Sequence, residues 1–151
     1  KTGVRTFEAA AFLRRSGADV VRVRKLLRDN MDDYKAKAAA VSTAEIFDKA
    51  FAIAVCPSEG LESPTVVGAQ AANELLNIVG VKASFVLTQY NGVIYISARS
   101  IDEVNVQVIM EKFGGGGHMT IAGAQLRDCS VQDARELVKA TVSKMEEEGD
   151  I

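Results

Sequence analysis

The chain is short of the residues that metal, disulfide and membrane chemistry need. It has one histidine, two cysteines and no long apolar run. Cys56 and Cys129 stand far apart, with no CxxC pair and no histidine beside either. Zinc asks for about four converging ligands, so no metal site is expected from this chain alone. Both cysteines read as buried, reduced thiols of a cytosolic protein. No apolar stretch is long enough to cross a bilayer, so no membrane contact is expected of it. The N-terminal stretch is helical in pattern and mixed in charge, unlike a secretory leader, and a cytoplasmic location is expected. An excess of positive charge is missing too, the net charge being −2. Holding long nucleic acid by overall attraction usually needs a basic face. A small phosphorylated ligand in one local pocket stays open.

What is present suffices for a real core. Of the 151 residues, 48% are hydrophobic and 25% charged, which excludes a disordered chain. The pattern changes near residue 45. Residues 1–44 read as an all-helical connector, and residues 45–151 as a mixed α/β domain.

In the connector, a helix over Thr6–Arg15 ends at Gly17. Asp19 caps a second, Val20–Arg28, with Val20, Val23, Leu26 and Leu27 on one face. A third, Met31–Ala40, is alanine-rich with a small apolar face. The cluster Arg14, Arg15, Arg22, Arg24, Lys25 and Arg28 reads as a solvated face or as a basic wall facing a phosphate.

In the α/β part, Ile46–Asp48 and Phe51–Cys56 predict paired strands or one bent strand. Ser63-Pro64 opens a helix that runs to Val79 and closes at Gly80, with Ala71, Leu75, Leu76 and Val79 facing the core. Lys82–Tyr90 and Val93–Arg99 form a hairpin around Asn91-Gly92. A helix over Val104–Phe113 runs into the glycines, and Ala124–Cys129 is a further strand. Ser130-Val131-Gln132-Asp133 resembles a capping box and starts a terminal helix to about Glu148. The expected architecture is a mixed sheet with an antiparallel hairpin, flanked by helices.

The most informative run is Phe113-Gly114-Gly115-Gly116-Gly117-His118. Glycine loses the most backbone freedom on folding, so four in succession are costly for a plain turn. Without Cβ atoms, successive N–H groups can turn inward as a nest for phosphate oxygens, with the lone His118 adding a hydrogen bond. The plainer reading is a flexible hinge after a helix C-cap. Arg99, at a strand end beside Ser97 and Ser100, suits a bidentate grip on phosphate. It also suits a surface salt bridge to Asp102 or Glu103. Asn105 reads first as a helix N-cap and second as a ligand contact. The small residues Thr120, Ala122 and Gly123 either keep a pocket floor open or simply pack.

Ile96-Ser97-Ala98-Arg99-Ser100, the helix start Val104-Asn105-Val106, and Phe113–Ala124 (FGGGGHMTIAGA) resemble the DHH-associated domain of the DHH phosphoesterase superfamily. That superfamily includes RecJ-type exonucleases, oligoribonucleases and cyclic-di-AMP phosphodiesterases. The opening stretch, Thr2–Ala10, resembles the segment after the last metal motif of the membrane-anchored, GdpP-type cyclic-di-AMP phosphodiesterases. The resemblance implies a two-lobed enzyme. Its DHH lobe holds two Mn²⁺ ions, and its other lobe grips the substrate. The Asp-His-His motif is absent here, so the resemblance implies the substrate-binding lobe with its connecting helices. No catalytic residue and no cofactor are then expected in this piece. The implied substrate contacts are Arg99, Ser100, Gly114, Gly115, Gly116, Gly117 and His118, with Arg5 and Thr6 near the cleft between lobes. The implied partner is a cyclic dinucleotide or a short linear oligonucleotide. Two other readings compete. One is an RNA- or DNA-end-binding module of a RecJ-like exonuclease or oligoribonuclease. The other is a homodimerisation domain in which the glycines only bend the chain.

Overall fold

A computed structural model describes residues 2–101 and 103–151. The chain forms two compact units, Lys1–Asn30 and Met31–Ile151.

The first unit holds two helices, α1 (Val4–Arg15) and α2 (Val20–Leu26). Asp19 caps α2, its carboxylate accepting from the Val21 and Arg22 amides at 2.8 and 3.4 Å. Neither helix has a buried residue. The expected face of Val20, Val23, Leu26 and Leu27 is therefore exposed.

The second unit begins at α3 (Met31–Ser42), earlier than the change of pattern near residue 45 suggests. The alanines of α3 explain the difference. Ala36 and Ala40 are buried in the core, because a side chain this small lets one backbone pack closely on another. Next come β1 (Glu45–Phe47), β2 (Phe51–Cys56), α4 (Pro64–Leu75), β3 (Ala83–Tyr90), β4 (Val93–Ser100), α5 (Val106–Glu111), β5 (Gly116–His118), β6 (Ile121–Leu126) and α6 (Val131–Glu148). The six strands make one mixed sheet in the order β1-β2-β3-β4-β6-β5. The architecture is the expected one: a mixed sheet with an antiparallel hairpin, flanked by helices and preceded by a helical segment.

Local chemistry accounts for most of these elements. β2 is apolar throughout because both of its faces are covered, as befits a strand paired in parallel with β3 across the α4 crossover. Asn91 and Gly92 take φ of 49° and 73°, the two left-handed values that a tight hairpin between β3 and β4 demands. The Asn105 side chain accepts from the Gln107 amide at 3.1 Å and starts α5, so it acts as an N-cap. Ser130 caps α6 by accepting from the Asp133 amide at 3.0 Å.

The core lies on both faces of the sheet. One face, built from Ile53, Phe85, Leu87, Ile94, Ile96 and Ala98, is packed by α5 and α6. The other, with Ala52, Ala54 and Val86, is packed by α3 and α4. Two expectations fail at the rim. α4 stops at Leu75, so Val79 is fully exposed. Cys129 is exposed, and only Cys56 is buried, which pushes its thiol up to about 11.

Gly68 of α4 sits directly over Thr88 of β3. A Cβ at position 68 would come within 2.2 Å of the Thr88 Oγ1, a buried hydroxyl with no hydrogen-bond partner among the described residues. Replacing a mid-helix glycine by alanine ordinarily stabilises by about 1 kcal/mol. Here Gly68→Ala is expected to destabilise by about 1–3 kcal/mol through overpacking. Thr88→Ala in the same chain should restore most of the loss, as a double-mutant cycle in urea would show.

The far edge of the sheet is tied down by charge. Glu45 accepts from Arg135 at 2.6 Å and from Lys139 at 2.7 Å. The Lys139 hydrogen bond, opposed by partial desolvation, holds the Glu45 carboxyl below its usual range. A depressed carboxylate stabilises the fold above its unfolded value, and that contribution disappears as pH falls through the folded one. Glu45→Gln should therefore flatten the acid limb of the stability curve, measured as Tm from pH 6 down to pH 3.

Candidate functional site

The site follows from strand register. Side chains alternate between the faces of a strand, and residues paired across an antiparallel ladder share a face. Ile94, Ile96 and Ala98 point to the α5–α6 core, so Tyr95, Ser97 and Arg99 point to the other face. Their partners on β6 are Gln125, Gly123 and Ile121. Gly123 and Ile121 pair in turn with Gly116 and His118 of β5. Three parallel rows result: Arg99, Ile121 and His118; then Ser97, Gly123 and Gly116; then Tyr95 and Gln125. On this face α3 and α4 pack against β2 and β3, and Ile121, Gln125 and His118 are exposed.

Arg99 and His118 thus stand on one row, two strands apart, or about 10 Å between backbones. Arg99 is half-buried, and its Nη1 donates to the carbonyls of Ala98 at 2.9 Å and Ala122 at 3.5 Å. These bonds hold the guanidinium against the sheet and leave its other N–H groups available. Burial lowers its pKa, yet an arginine stays charged at neutral pH. Among the described residues it has no carboxylate partner. Glu103, one of the two expected partners, pairs with Lys82 at 2.6 Å instead. Asp102, the other, lies outside the described residues. His118 is exposed, so it is not a packed core residue.

The glycine run is explained largely by the chain's own packing. Gly114, with φ of 72°, and Gly115 close α5 as a Schellman turn. The Gly115 amide donates to the Met110 carbonyl at 2.9 Å, and the Gly114 amide to Glu111 at 3.1 Å. Their N–H groups are spent, so the expected nest of four successive donors does not form. The run is not a hinge either, because residues 116–118 are a strand. A Cβ at Gly115 would come within 2.1 Å of the Gly123 carbonyl oxygen, and one at Gly117 within 2.4 Å of the Ile121 carbonyl oxygen. Only glycine lets β5 lie this close on β6. Gly116 differs: its φ is ordinary and a Cβ there meets nothing within 4 Å. Its missing side chain leaves open space over the middle row.

Ser100 is turned away from this surface. It is buried on the opposite face, and its hydroxyl donates to the Val104 carbonyl at 2.6 Å. The expected pair Arg99-Ser100 is therefore split, because adjacent strand residues face opposite ways. Arg5 and Thr6 lie exposed in the first turn of α1, in the other unit. Sequence reasoning passed over Tyr95 and Gln125. Counting every second residue back from Arg99 reaches Tyr95, and the ladder then supplies Gln125.

The sequence profile of the DHHA1 domain matches residues 48–145, the stretch that builds these rows. The chain belongs to the DHHA1 domain family. This DHHA1 domain is 44% identical, over 94% of its length, to the cyclic-di-AMP phosphodiesterase GdpP of Geobacillus thermodenitrificans (strain NG80-2). It is also 44% identical, over 93% of its length, to the cyclic-di-AMP phosphodiesterase PdeA of Listeria monocytogenes serotype 1/2a. It spans 22% of the length of each of these relatives. An exopolyphosphatase-related protein from Bacteroides fragilis matches 95% of this chain and 44% of its own. Its TM-score is 0.81 at 18% identity, which establishes a shared fold.

Among the described residues, no three His, Cys, Asp or Glu side chains gather to hold a metal. No helix here is long and apolar enough to cross a membrane among the described residues.

The glycines separate by experiment. Gly115→Ala and Gly117→Ala should each destabilise the DHHA1 domain by at least about 2 kcal/mol, because backbone atoms must move. Gly116→Ala should leave the denaturation midpoint within about 0.5 kcal/mol of wild type. Equal losses at all three positions would contradict the assignment of Gly116 as the glycine not required by packing.

Proposed function

We propose that this DHHA1 domain is the substrate-gripping part of a cyclic-di-AMP phosphodiesterase, holding a nucleotide phosphate between Arg99 and His118. The observation that carries the reading is the shared row: register brings the half-buried guanidinium, without a carboxylate partner among the described residues, and the lone imidazole to one open stretch of sheet. The 44% identity to two cyclic-di-AMP phosphodiesterases supports the substrate class.

The division of labour follows from the side chains. Arg99 supplies a fixed positive charge and a fork of N–H donors for two phosphate oxygens. Its bonds to the Ala98 and Ala122 carbonyls pre-orient it, so little rotamer freedom is lost on binding. His118 donates an imidazole N–H from the opposite side. Gly116 and Gly123 keep the adjoining row flat, so a ligand can lie against the backbone. Any metal ions for cleavage would be held by residues beyond this domain, in a protein whose cytoplasmic side this domain would occupy.

The test is an NMR titration of the 151-residue chain with cyclic-di-AMP and with its linear product. Binding on the order of millimolar is expected, because one lobe encloses little of the ligand. Amide shifts should centre on Arg99, Gly116 and His118. Arg99→Ala should weaken binding at least about tenfold, the value of one charge-assisted hydrogen bond. Shifts confined to the arginines of α1 and α2 would show general charge attraction and overturn the assignment.

A further inference from the structure

The link between β5 and β6 is two residues long, Met119-Thr120. Tight two-residue hairpins usually hold themselves by left-handed φ values, as Asn91 and Gly92 do. Among the described residues, four non-glycine residues take a left-handed φ, and neither Met119 nor Thr120 is one of them. A tight turn of the ordinary hand splays its strands, so this one needs holding from outside. The bonds that hold it come from the end of β4 and the start of α5. The Val106 amide donates to the Met119 carbonyl at 2.9 Å, and the Ser100 amide donates to the Thr120 carbonyl at 3.0 Å. The Ser100 hydroxyl lies 2.6 Å from the Val104 carbonyl oxygen and 3.4 Å from that of Met119.

We infer that Ser100 is a positioning residue: its hydroxyl locks the Met119-Thr120 turn and the start of α5 to the end of β4, and so sets His118 against Arg99. The inference rests on the phosphate reading for its purpose but not for its geometry. Ser100 follows Arg99 in the chain, and the turn follows His118, so a lock between the two fixes both ends of the row. The hydroxyl has one proton. It goes to the nearer carbonyl, Val104, with Met119 as the longer, second acceptor. The other core-facing residues of β4, namely Ile94, Ile96 and Ala98, are apolar, so packing alone does not ask for a hydroxyl at position 100. Ser100 is only 7% exposed, and without its Oγ the Val104 carbonyl loses a partner that water cannot easily replace. The turn would then hang on backbone bonds alone. An arginine and a histidine whose spacing is fixed beforehand lose less freedom when they close on a ligand.

The experiment compares Ser100→Ala and Ser100→Thr with the unsubstituted 151-residue chain, by amide hydrogen exchange and by titration with cyclic-di-AMP. In Ser100→Ala, exchange at the Val106 amide should rise at least about tenfold more than exchange at Ile53 in β2, because the turn opens locally while the core stays shut. The same variant should bind cyclic-di-AMP at least about fivefold more weakly, although every group on the open face is intact. Ser100→Thr keeps the hydroxyl and should stay within about twofold of the unsubstituted chain in both measurements. A residue that merely supported the core would raise exchange equally at Val106 and Ile53 and leave the affinity of the folded molecules unchanged. Either result overturns the proposal, and so does a loss in Ser100→Thr as large as in Ser100→Ala. If cyclic-di-AMP shifts neither Arg99 nor His118 in the unsubstituted chain, the phosphate reading fails. The exchange ratio between Val106 and Ile53 then decides by itself whether Ser100 locks the turn.

Discussion

Everything in the site depends on how closely β5 lies on β6. Gly115 and Gly117 would each drive a Cβ into a backbone carbonyl oxygen or Cα of β6, and only their lack of one permits the contact. That contact puts His118 opposite Ile121, which is itself opposite Arg99. A one-residue slip would move His118 to the other face of the sheet, because side chains alternate with a period of two. The Schellman turn at Gly114 and Gly115 fixes where β5 begins, so α5, the glycines and the register form one device.

The two halves of the sheet serve different ends. β2 and β3 are covered by helices on both faces and supply most of the sheet's own share of the buried core. β6 and β5 are packed by α5 on one face, and their other face carries exposed side chains. Half-covered antiparallel strands tolerate this arrangement, since one face can meet solvent. The covered face of β4 and β6 is alanine- and isoleucine-rich, while the open face carries Arg99, Tyr95, Ser97 and Gln125. The DHHA1 domain thus carries these side chains on a paired ladder, where strand register sets their spacing.

The polar side chains divide by the same logic. Ser84 and Ser100 are buried and bonded to backbone carbonyls, as burial of a hydroxyl requires. Asn105 and Ser130 are spent on helix starts. Tyr95, Ser97 and Gln125, which make no side-chain hydrogen bond among the described residues, lie on the face away from α5 and α6.

By itself the sequence determined most of the element types, the strand β5 excepted, the hairpin at Asn91-Gly92, the caps at Asp19, Asn105 and Ser130, and the family resemblance. Each of these rests on local backbone chemistry or on residues close in the chain. It also singled out Arg99 and the glycine run as the place to look. Only the tertiary structure decided that Ser100 faces inward and that α3 belongs to the α/β unit. It alone showed that three of the four glycines serve packing or a cap, and that Tyr95 and Gln125 meet across a ladder. Those outcomes depend on which strands pair, in which register and with which face covered. These are contacts between residues distant in the chain, and no local pattern records them.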